Sequence, residues 1–171
     1  ADEMGSRLRA FLAAERIDVS AVRALDGETT GLAVILVDKA SENAIVVVPG
    51  ANMAWPADLA EARPLARGDL VVATFEVPAA RIVELFARAR RAGATTILNP
   101  APAGAVPRAL LDLTDQLILN EVELPMLMGH DIDATDIPDV MAAARMLAAG
   151  RQAVVATLGA AGAVVAAGGE T

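Results

Sequence analysis

The sequence predicts an α/β fold with three layers, in which helices cover both faces of a largely parallel β-sheet. Four short apolar runs alternate with amphipathic helical segments, and they occupy residues 70–75, 95–98, 117–119 and 153–157. Continuous apolar strands joined by helices are typical of parallel sheets. No repeat or linker marks a domain boundary, so residues 1–171 are expected to form a single domain.

A helix and a β-hairpin are expected before the sheet. From Met4, apolar residues recur at helical spacing, which predicts a helix over residues 2–15 with one buried stripe. Two runs rich in β-branched residues, Leu32–Val37 and Ala44–Val48, flank a polar stretch and predict the hairpin. A proline near the first helical position predicts another helix start at Trp55–Asp58.

Two longer helices separate the later strands. The first is predicted over Ala79–Arg91, with four side chains directed inward: Ile82, Val83, Phe86 and Ala89. The second is predicted over Pro138–Ala149 and ends at Gly150, a favourable residue for a helix C-terminus. After the glycine turn at 159–162, the run Ala163–Ala166 is expected to be the first strand of a further hairpin.

Composition excludes several classes of protein. The net charge of -8 and the low aromatic content, one Trp and three Phe, argue against nucleic acid as a partner. The longest apolar stretch, Ala153–Ala167, is interrupted by glycines and is shorter than the roughly 18 to 20 residues of a membrane span. There is no cysteine, and no basic region followed by an apolar one at the start. We therefore expect a soluble cytoplasmic protein.

Common catalytic motifs are absent. The sequence has no Walker A loop, no dinucleotide-binding glycine pattern after the first strand and no Gly-x-Ser-x-Gly elbow. His130 is the only histidine, and its setting between Gly129 and Asp131 is typical of a solvated turn. A histidine-based triad is not expected.

The strongest local signal is Asn120-x-x-Glu123, which follows a predicted strand and begins a helix. At the carboxyl edge of a parallel sheet, Asn120 is placed to contact a phosphate and Glu123 to hold hydrated Mg²⁺. The same spacing also forms a capping box, which satisfies the amides of a helix N-terminus without any ligand. The residues alone leave both interpretations open.

A glycine-containing turn forms the second signal. It follows an apolar strand and consists of Thr157, Leu158, Gly159, Ala160, Ala161 and Gly162. The glycines let the backbone approach a ligand closely, and the Thr157 hydroxyl can bond to a phosphate or a ribose. The alternative is an ordinary hairpin turn.

Two further segments follow strands on the same predicted edge. Glu76 comes directly after the run 70–75, where a carboxylate can accept sugar hydroxyls or favour the start of the next helix. The segment Asn99–Ala103 has two prolines and is expected to be a rigid loop that acts mainly as scaffold.

Taken together, these motifs resemble the PfkB family of carbohydrate kinases, and its ribokinase-like members in particular. Six stretches carry the resemblance in the family's order: residues 29–33, Pro49–Asn52, Phe75–Pro78, Leu98–Ala103, Asn120–Glu123 and Thr157–Gly162. The resemblance implies a three-layer fold with a small β lid over the sugar at 29–48, through which such proteins often form homodimers.

The resemblance also implies roles for particular residues. Glu76 is expected to bind the sugar, Asn120 and residues 157–162 to bind ATP, and Glu123 to serve Mg²⁺. The family transfers the γ-phosphoryl of ATP to a sugar hydroxyl, and ribokinases make ribose 5-phosphate with a monovalent cation such as K⁺ as activator. Phosphoryl transfer of this kind depends mostly on positioning and charge neutralisation.

The sequence departs from the family pattern at three points. The family's first strand would precede Ala1, and its Gly-Ala-Gly-Asp motif, which carries the catalytic aspartate, is absent from these residues. No catalytic residue is therefore assigned, and residues 1–171 are expected to be the central part of an ATP-dependent sugar kinase, with ribose favoured over other sugars and nucleosides. Pro125 is expected to bend the helix after Asn120. The alternative is a non-catalytic module that binds a nucleotide or pairs through its lid.

Overall fold

The computed structural model describes residues 2–39, 43–56, 58 and 63–168. The chain divides into two compact units. Residues 1–63 and 76–78 form the first, here named the hairpin unit, and residues 64–75 and 79–171 form the second, the sheet unit. The predicted hairpin lies in the first unit and the predicted parallel strands in the second.

The described part of the hairpin unit contains one α-helix, two strands and a short 3₁₀ turn. Their bounds are α1 Glu3–Ala14, β1 Leu32–Val37, β2 Asn43–Val48 and the turn Gly50–Asn52. The two strands pair antiparallel, with Leu32 opposite Val48 and Val37 opposite Asn43, so the hairpin is confirmed. Of the helix start expected at Trp55–Asp58, residue 57 lies outside the described residues, as do residues 59–62, into which such a helix would continue.

The expected buried stripe of α1 is wrong. Met4, Leu8 and Phe11 are 50%, 51% and 61% exposed. Helical spacing places these side chains on one face, but burial also needs a second layer. Within the described residues, no helix or strand packs extensively against α1.

The sheet unit contains five strands and four α-helices in the described residues. The strands are β3 Leu70–Thr74, β4 Thr95–Asn99, β5 Gln116–Leu119, β6 Ala153–Thr157 and β7 Ala163–Ala167. The helices are α2 Ala79–Ala92, α3 Arg108–Asp112, α4 Glu123–Met128 and α5 Ile137–Ala148. The strands lie in chain order, with β3 to β6 parallel and β7 antiparallel at the edge. The α/β class and the largely parallel sheet are confirmed.

The register places alternate strand residues on opposite faces of the sheet. One face is buried, and it carries Val71, Thr96, Leu98, Leu117, Leu119, Val154, Ala156, Val164 and Ala166. On the other face, Ile97 and Ile118 are half-buried, whereas Leu70 and Val165 are exposed. The described residues therefore cover one face more fully than the other.

Three of the four side chains predicted to face inward on α2 are buried, and the fourth, Val83, is half-buried. Ile82, Phe86 and Ala89 of α2 are buried, and the helix packs against β3 and β4. Helix α5 packs against β6 and β7. The sequence did not predict α3, because five residues are too few to show helical periodicity. No helix in the described ranges combines the length and the apolar character needed to cross a bilayer.

The last strand pairs differently from the prediction. β7 does not open a new hairpin but pairs back on β6, with Thr157 opposite Ala163 and Ala153 opposite Ala167. Gly159 and Gly162, with φ of 52° and 97°, adopt backbone conformations that few other residues accept, and they reverse the chain between the two strands. β7 is therefore the edge strand of the sheet, next to β6.

Candidate functional site

Polar residues collect where three neighbouring strands end. β4, β5 and β6 are parallel, so their carboxyl ends share one edge of the sheet. Asn99 is the last residue of β4, Asn120 follows β5 and Thr157 ends β6. In open α/β sheets this edge is where ligands collect.

Asn120 and Glu123 bind each other reciprocally. The Asn120 side-chain oxygen accepts hydrogen bonds from the backbone amides of Val122 and Glu123, at 2.9 and 2.8 Å. In return, the Glu123 carboxylate accepts from the backbone amide of Asn120 at 3.0 Å and from its side-chain amide at 3.2 Å. This is capping-box geometry, one of the two interpretations that the sequence leaves open. It also fixes both side chains at the edge of the sheet.

Asn99 connects this pair to the neighbouring strand. Its side-chain amide donates to the Ile118 carbonyl at 3.0 Å and lies 3.4 Å from Glu123 Oε2. Glu123 is only 4% exposed, and a buried carboxylate needs such donors to offset its lost hydration. From the sequence, Asn99 is expected only as part of a loop that acts mainly as scaffold. Its place as a polar residue ending an apolar strand was the available signal.

Pro125 removes one backbone donor early in the helix that follows Asn120. Proline has no N–H to donate to the Glu121 carbonyl, but the bonds around it are kept. The Leu124 amide still bonds to the Asn120 carbonyl at 3.0 Å, and the Gly129 amide to the Pro125 carbonyl at 2.9 Å. The expected distortion therefore does not separate Asn120 from Glu123.

The glycine turn lies beside this cluster, at the end of β6. The Thr157 hydroxyl donates to the Leu119 carbonyl at 3.2 Å, which links the turn to β5. Across the turn, the Leu158 amide donates to the Gly162 carbonyl at 2.8 Å. The sequence-predicted residues Thr157–Gly162 thus form one compact reversal next to Asn120.

Part of the turn backbone is open to a ligand. Among the described residues, the amides of Gly159 and Ala160 have no hydrogen-bond partner. A Cβ added at Gly159 or at Gly162 would meet no atom within 4 Å. Neighbouring free amides at a strand end suit an anion such as a phosphate.

The donor set at Glu123 fits a hydrated magnesium ion. Mg²⁺ prefers oxygen ligands, keeps several waters and needs only one or two carboxylates. Oε1 accepts one hydrogen bond in this network, whereas Oε2 accepts two, so Oε1 keeps acceptor capacity for a metal-bound water. In the part of the chain that is described, no three or more His, Cys, Asp or Glu residues group as a metal cage.

Two other residues singled out from the sequence, Glu76 and His130, are exposed. Glu76 is exposed in the turn between β3 and α2, and it groups with the hairpin unit. His130 is exposed, with its Nδ1 3.0 Å from the Asp131 carbonyl, as a solvated turn would have it. Neither residue forms a hydrogen bond with Asn120 or Glu123 in the described structure.

Comparison with known proteins gives concordant matches. The model of the pfkB family carbohydrate kinases matches residues 1–171. A ribokinase of Haemophilus influenzae is 36% identical over 168 residues, covering 96% of this chain and 54% of that protein. A ribokinase of Staphylococcus aureus is 42% identical over 115 residues, covering 66% of this chain and 38% of that protein.

A solved structure, Arabidopsis thaliana ribokinase complexed with ribose and ATP, is 27% identical, with a TM-score of 0.74. The match covers 91% of this chain and 51% of that one. The chain spans about half or less of the length of these relatives.

Proposed function

The chain belongs to the pfkB family of carbohydrate kinases, and on this premise we propose that it serves ATP-dependent phosphorylation of a sugar, with ribose as substrate and ribose 5-phosphate as product. One observation carries the proposal: Asn99, Asn120 and Glu123 form a hydrogen-bonded cluster beside the glycine turn. Ribokinases among the relatives support the choice of ribose.

The nucleotide is assigned to the turn at the end of β6. The free amides of Gly159 and Ala160 would donate to phosphate oxygens, and the Thr157 hydroxyl oxygen keeps capacity to accept from the nucleotide. The remaining turn residues, Leu158, Ala161 and Gly162, set the backbone path. Binding through the backbone explains why small side chains suffice here.

The phosphates and Mg²⁺ are assigned to Asn120 and Glu123. When bound, Mg²⁺ neutralises charge on the phosphoryl group that is transferred. The capping network already orders the side chains of Asn120 and Glu123. Because little side-chain freedom is left to lose when a ligand binds, the entropic cost of binding is lower. The general base is not assigned to any residue of this chain, and K⁺ is proposed as the monovalent activator by family likeness.

The sugar is assigned to the hairpin unit. Glu76 groups with the hairpin in that unit, and its exposed carboxylate can accept sugar hydroxyls. β1 and β2 present exposed apolar side chains, including Ile35 and Val47, which suit the covering of a sugar or the pairing of two hairpins. We assign a homodimer through these strands, and a cytoplasmic location.

The test is ADP release that depends on a sugar. The protein would be incubated with ATP, Mg²⁺ and K⁺, first with ribose and then with other pentoses, hexoses and nucleosides. Glu123→Gln should slow ribose-dependent release about 10- to 100-fold, the usual loss when a group that orients a metal is removed. Glu121→Gln is the matched control, because Glu121 is exposed in the same turn, and it should leave the rate unchanged.

Nucleotide titration separates the kinase from a module that only pairs through its hairpin. A ligand that binds the folded state raises its stability by RT ln(1 + [L]/Kd), so MgATP should raise the melting temperature of the wild type. Stabilisation without turnover on any sugar would favour the non-catalytic nucleotide-binding alternative. If MgATP neither raises the melting temperature nor is turned over with any sugar, the proposed function is contradicted.

A further inference from the structure

Asp2 connects helix α1 to the base of the hairpin. Its Oδ1 accepts from the Gly5 amide at 2.8 Å and from the Thr30 hydroxyl at 2.6 Å. Its Oδ2 accepts from the Thr30 amide at 2.7 Å. Thr30 lies two residues before β1 begins at Leu32, so one carboxylate joins the start of α1 to the start of the hairpin.

These contacts exceed what a helix cap requires. An N-cap side chain ordinarily accepts from a backbone amide of the first helical turn, as Asp2 does from Gly5. Here both oxygens also bind Thr30, which is 28 residues away in sequence. The second oxygen, which capping leaves free for water, is committed to the hairpin.

The two ends of the hairpin are hydrogen-bonded to each other next to Thr30. The Ala51 amide donates to the Thr29 carbonyl at 2.8 Å, which ties the segment after β2 to the segment before β1. A Cβ added at Gly31 would lie 2.8 Å from the Pro49 carbonyl oxygen, and one at Gly50 would overlap the Thr29 carbonyl oxygen. The segments before β1 and after β2 are in contact here, so a displacement of Thr30 would move both strands.

Packing does not replace this connection. A cavity of about 480 Å³ adjoins the anchor, and Asp2, Leu8, Thr30 and Asn52 are among its lining residues. Leu8, which faces this cavity from α1, is 51% exposed. The hydrogen bonds that Asp2 accepts therefore link the start of α1 to the hairpin base.

We propose that Asp2 is a positioning residue that holds the hairpin at a set orientation on α1 through Thr30. Its effect on catalysis rests on the proposed function, because it requires the hairpin to cover the sugar. The anchor itself does not depend on that function. Three hydrogen bonds to a charged oxygen pair resist bending at the base of the hairpin more strongly than neutral bonds would.

The first test is hydrogen exchange without any ligand. Asp2→Asn keeps an acceptor for Gly5 but can place an amide donor against the Thr30 amide, so exchange of the β1 and β2 amides should accelerate about tenfold or more. Exchange in β4 to β6 should not change. Glu3→Gln is the control, since it removes a carboxylate from the first turn of α1 and leaves the anchor intact.

Substitution of Thr30 separates anchoring from helix capping. Thr30→Val removes the hydroxyl with little change in shape and should accelerate hairpin exchange, whereas Thr30→Ser should restore the wild-type rate. If Asp2→Asn accelerates exchange in α1 alone and leaves β1 and β2 at the wild-type rate, Asp2 is only a cap and the proposal is wrong. The same result from Thr30→Val would also contradict it.

A kinetic measurement connects the anchor to sugar binding. In Asp2→Asn, the KM for ribose should rise several-fold while the KM for ATP stays at its wild-type value. An equal rise in both constants would overturn the positioning role. If the wild type shows no sugar-dependent turnover, the proposed function fails, but the ligand-free exchange experiment still decides whether the anchor exists.

Discussion

The hairpin and the sheet use the same apolar residue types with opposite results. Every residue of β1 is exposed, although the strand consists of Leu, Ala, Val and Ile. In β4, β5 and β6, alternate side chains are buried, and Leu98, Leu117 and Val154 have no exposed surface. The difference arises from layers rather than from composition, because helices pack on the sheet whereas a two-stranded hairpin has no second layer of its own.

The apolar residues of the two regions therefore have different roles, a stabilising one in the sheet unit and a proposed binding one in the hairpin. Apolar side chains in the sheet unit supply its core and hold the polar edge in place. Those in the hairpin, such as Val37 at 66% exposed and Val47 at 58%, contribute little to a core. Their apolar surface is available to a ligand or to a second chain, as expected for the proposed lid.

Core truncation should show the largest difference between the two regions. Phe86→Ala removes a side chain with no exposed surface and should reduce the free energy of unfolding by about 3–5 kcal/mol. Ile35→Ala in the hairpin, where the side chain is 59% exposed, should cost less than about 1 kcal/mol. Urea unfolding followed by circular dichroism measures both. Similar losses for the two variants would mean that the hairpin has a core role.

Two glycines with nearly equal backbone angles provide a finer comparison. Gly50 has a φ of 51° and Gly159 a φ of 52°, but only Gly50 has a carbonyl oxygen where a Cβ would lie. Gly159→Ala should cost about 1–2 kcal/mol from backbone strain alone. Gly50→Ala should cost more and should accelerate hydrogen exchange in β1 and β2. Equal losses for the two variants would show that the contact between Gly50 and the Thr29 carbonyl leaves room for a methyl group.

The smallest expected effect is a response of the hairpin to acid. Hydrogen bonds from Thr30, followed by that from the Gly5 amide, lower the pKa of Asp2 from 3.8 to about 2. A carboxylate with a lowered pKa in the folded state stabilises at pH values above its unfolded pKa, and this contribution is lost as the pH falls toward the folded value.

Protection of the hairpin amides, taken relative to those of β4 to β6, should therefore be constant near neutral pH. It should decline as the pH falls from about 4 toward 2. Thr30→Val, which lacks the hydroxyl donor, should lose protection at a higher pH than the wild type. A relative protection that is the same at pH 6 and at pH 2.5 would contradict a role for the Asp2 charge.

Sequence patterns predicted the strands and long helices well because periodicity is a local property. The predicted bounds of β1 and β6 match the structure, those of α2 differ by one residue at the C-terminal end, and those of α5 differ by one residue at each end. Periodicity indicates which residues share a face but not what covers that face, which explains the exposed stripe of α1. Helices as short as α3 have too few residues to show a period at all.

The candidate site was predictable only in part. Asn120 and Glu123 are three residues apart, so their spacing alone suggested a shared role, and the structure joins them. The bond from Asn99 to Glu123 spans 24 residues and depends on the order of β4 and β5, which the sequence does not state. The Asp2 anchor was missed for the same reason, because Thr30 is brought to it by the fold of the hairpin unit.

The most direct test of the account is hydrogen exchange of the wild-type protein with and without MgATP. If the nucleotide binds at the edge formed by β5 and β6, MgATP slows exchange at residues 157–162 and 120–123, with no comparable change in β1 and β2. Protection that appears only in the hairpin, or no protection anywhere at saturating MgATP, would contradict the assignment of the nucleotide to the sheet edge.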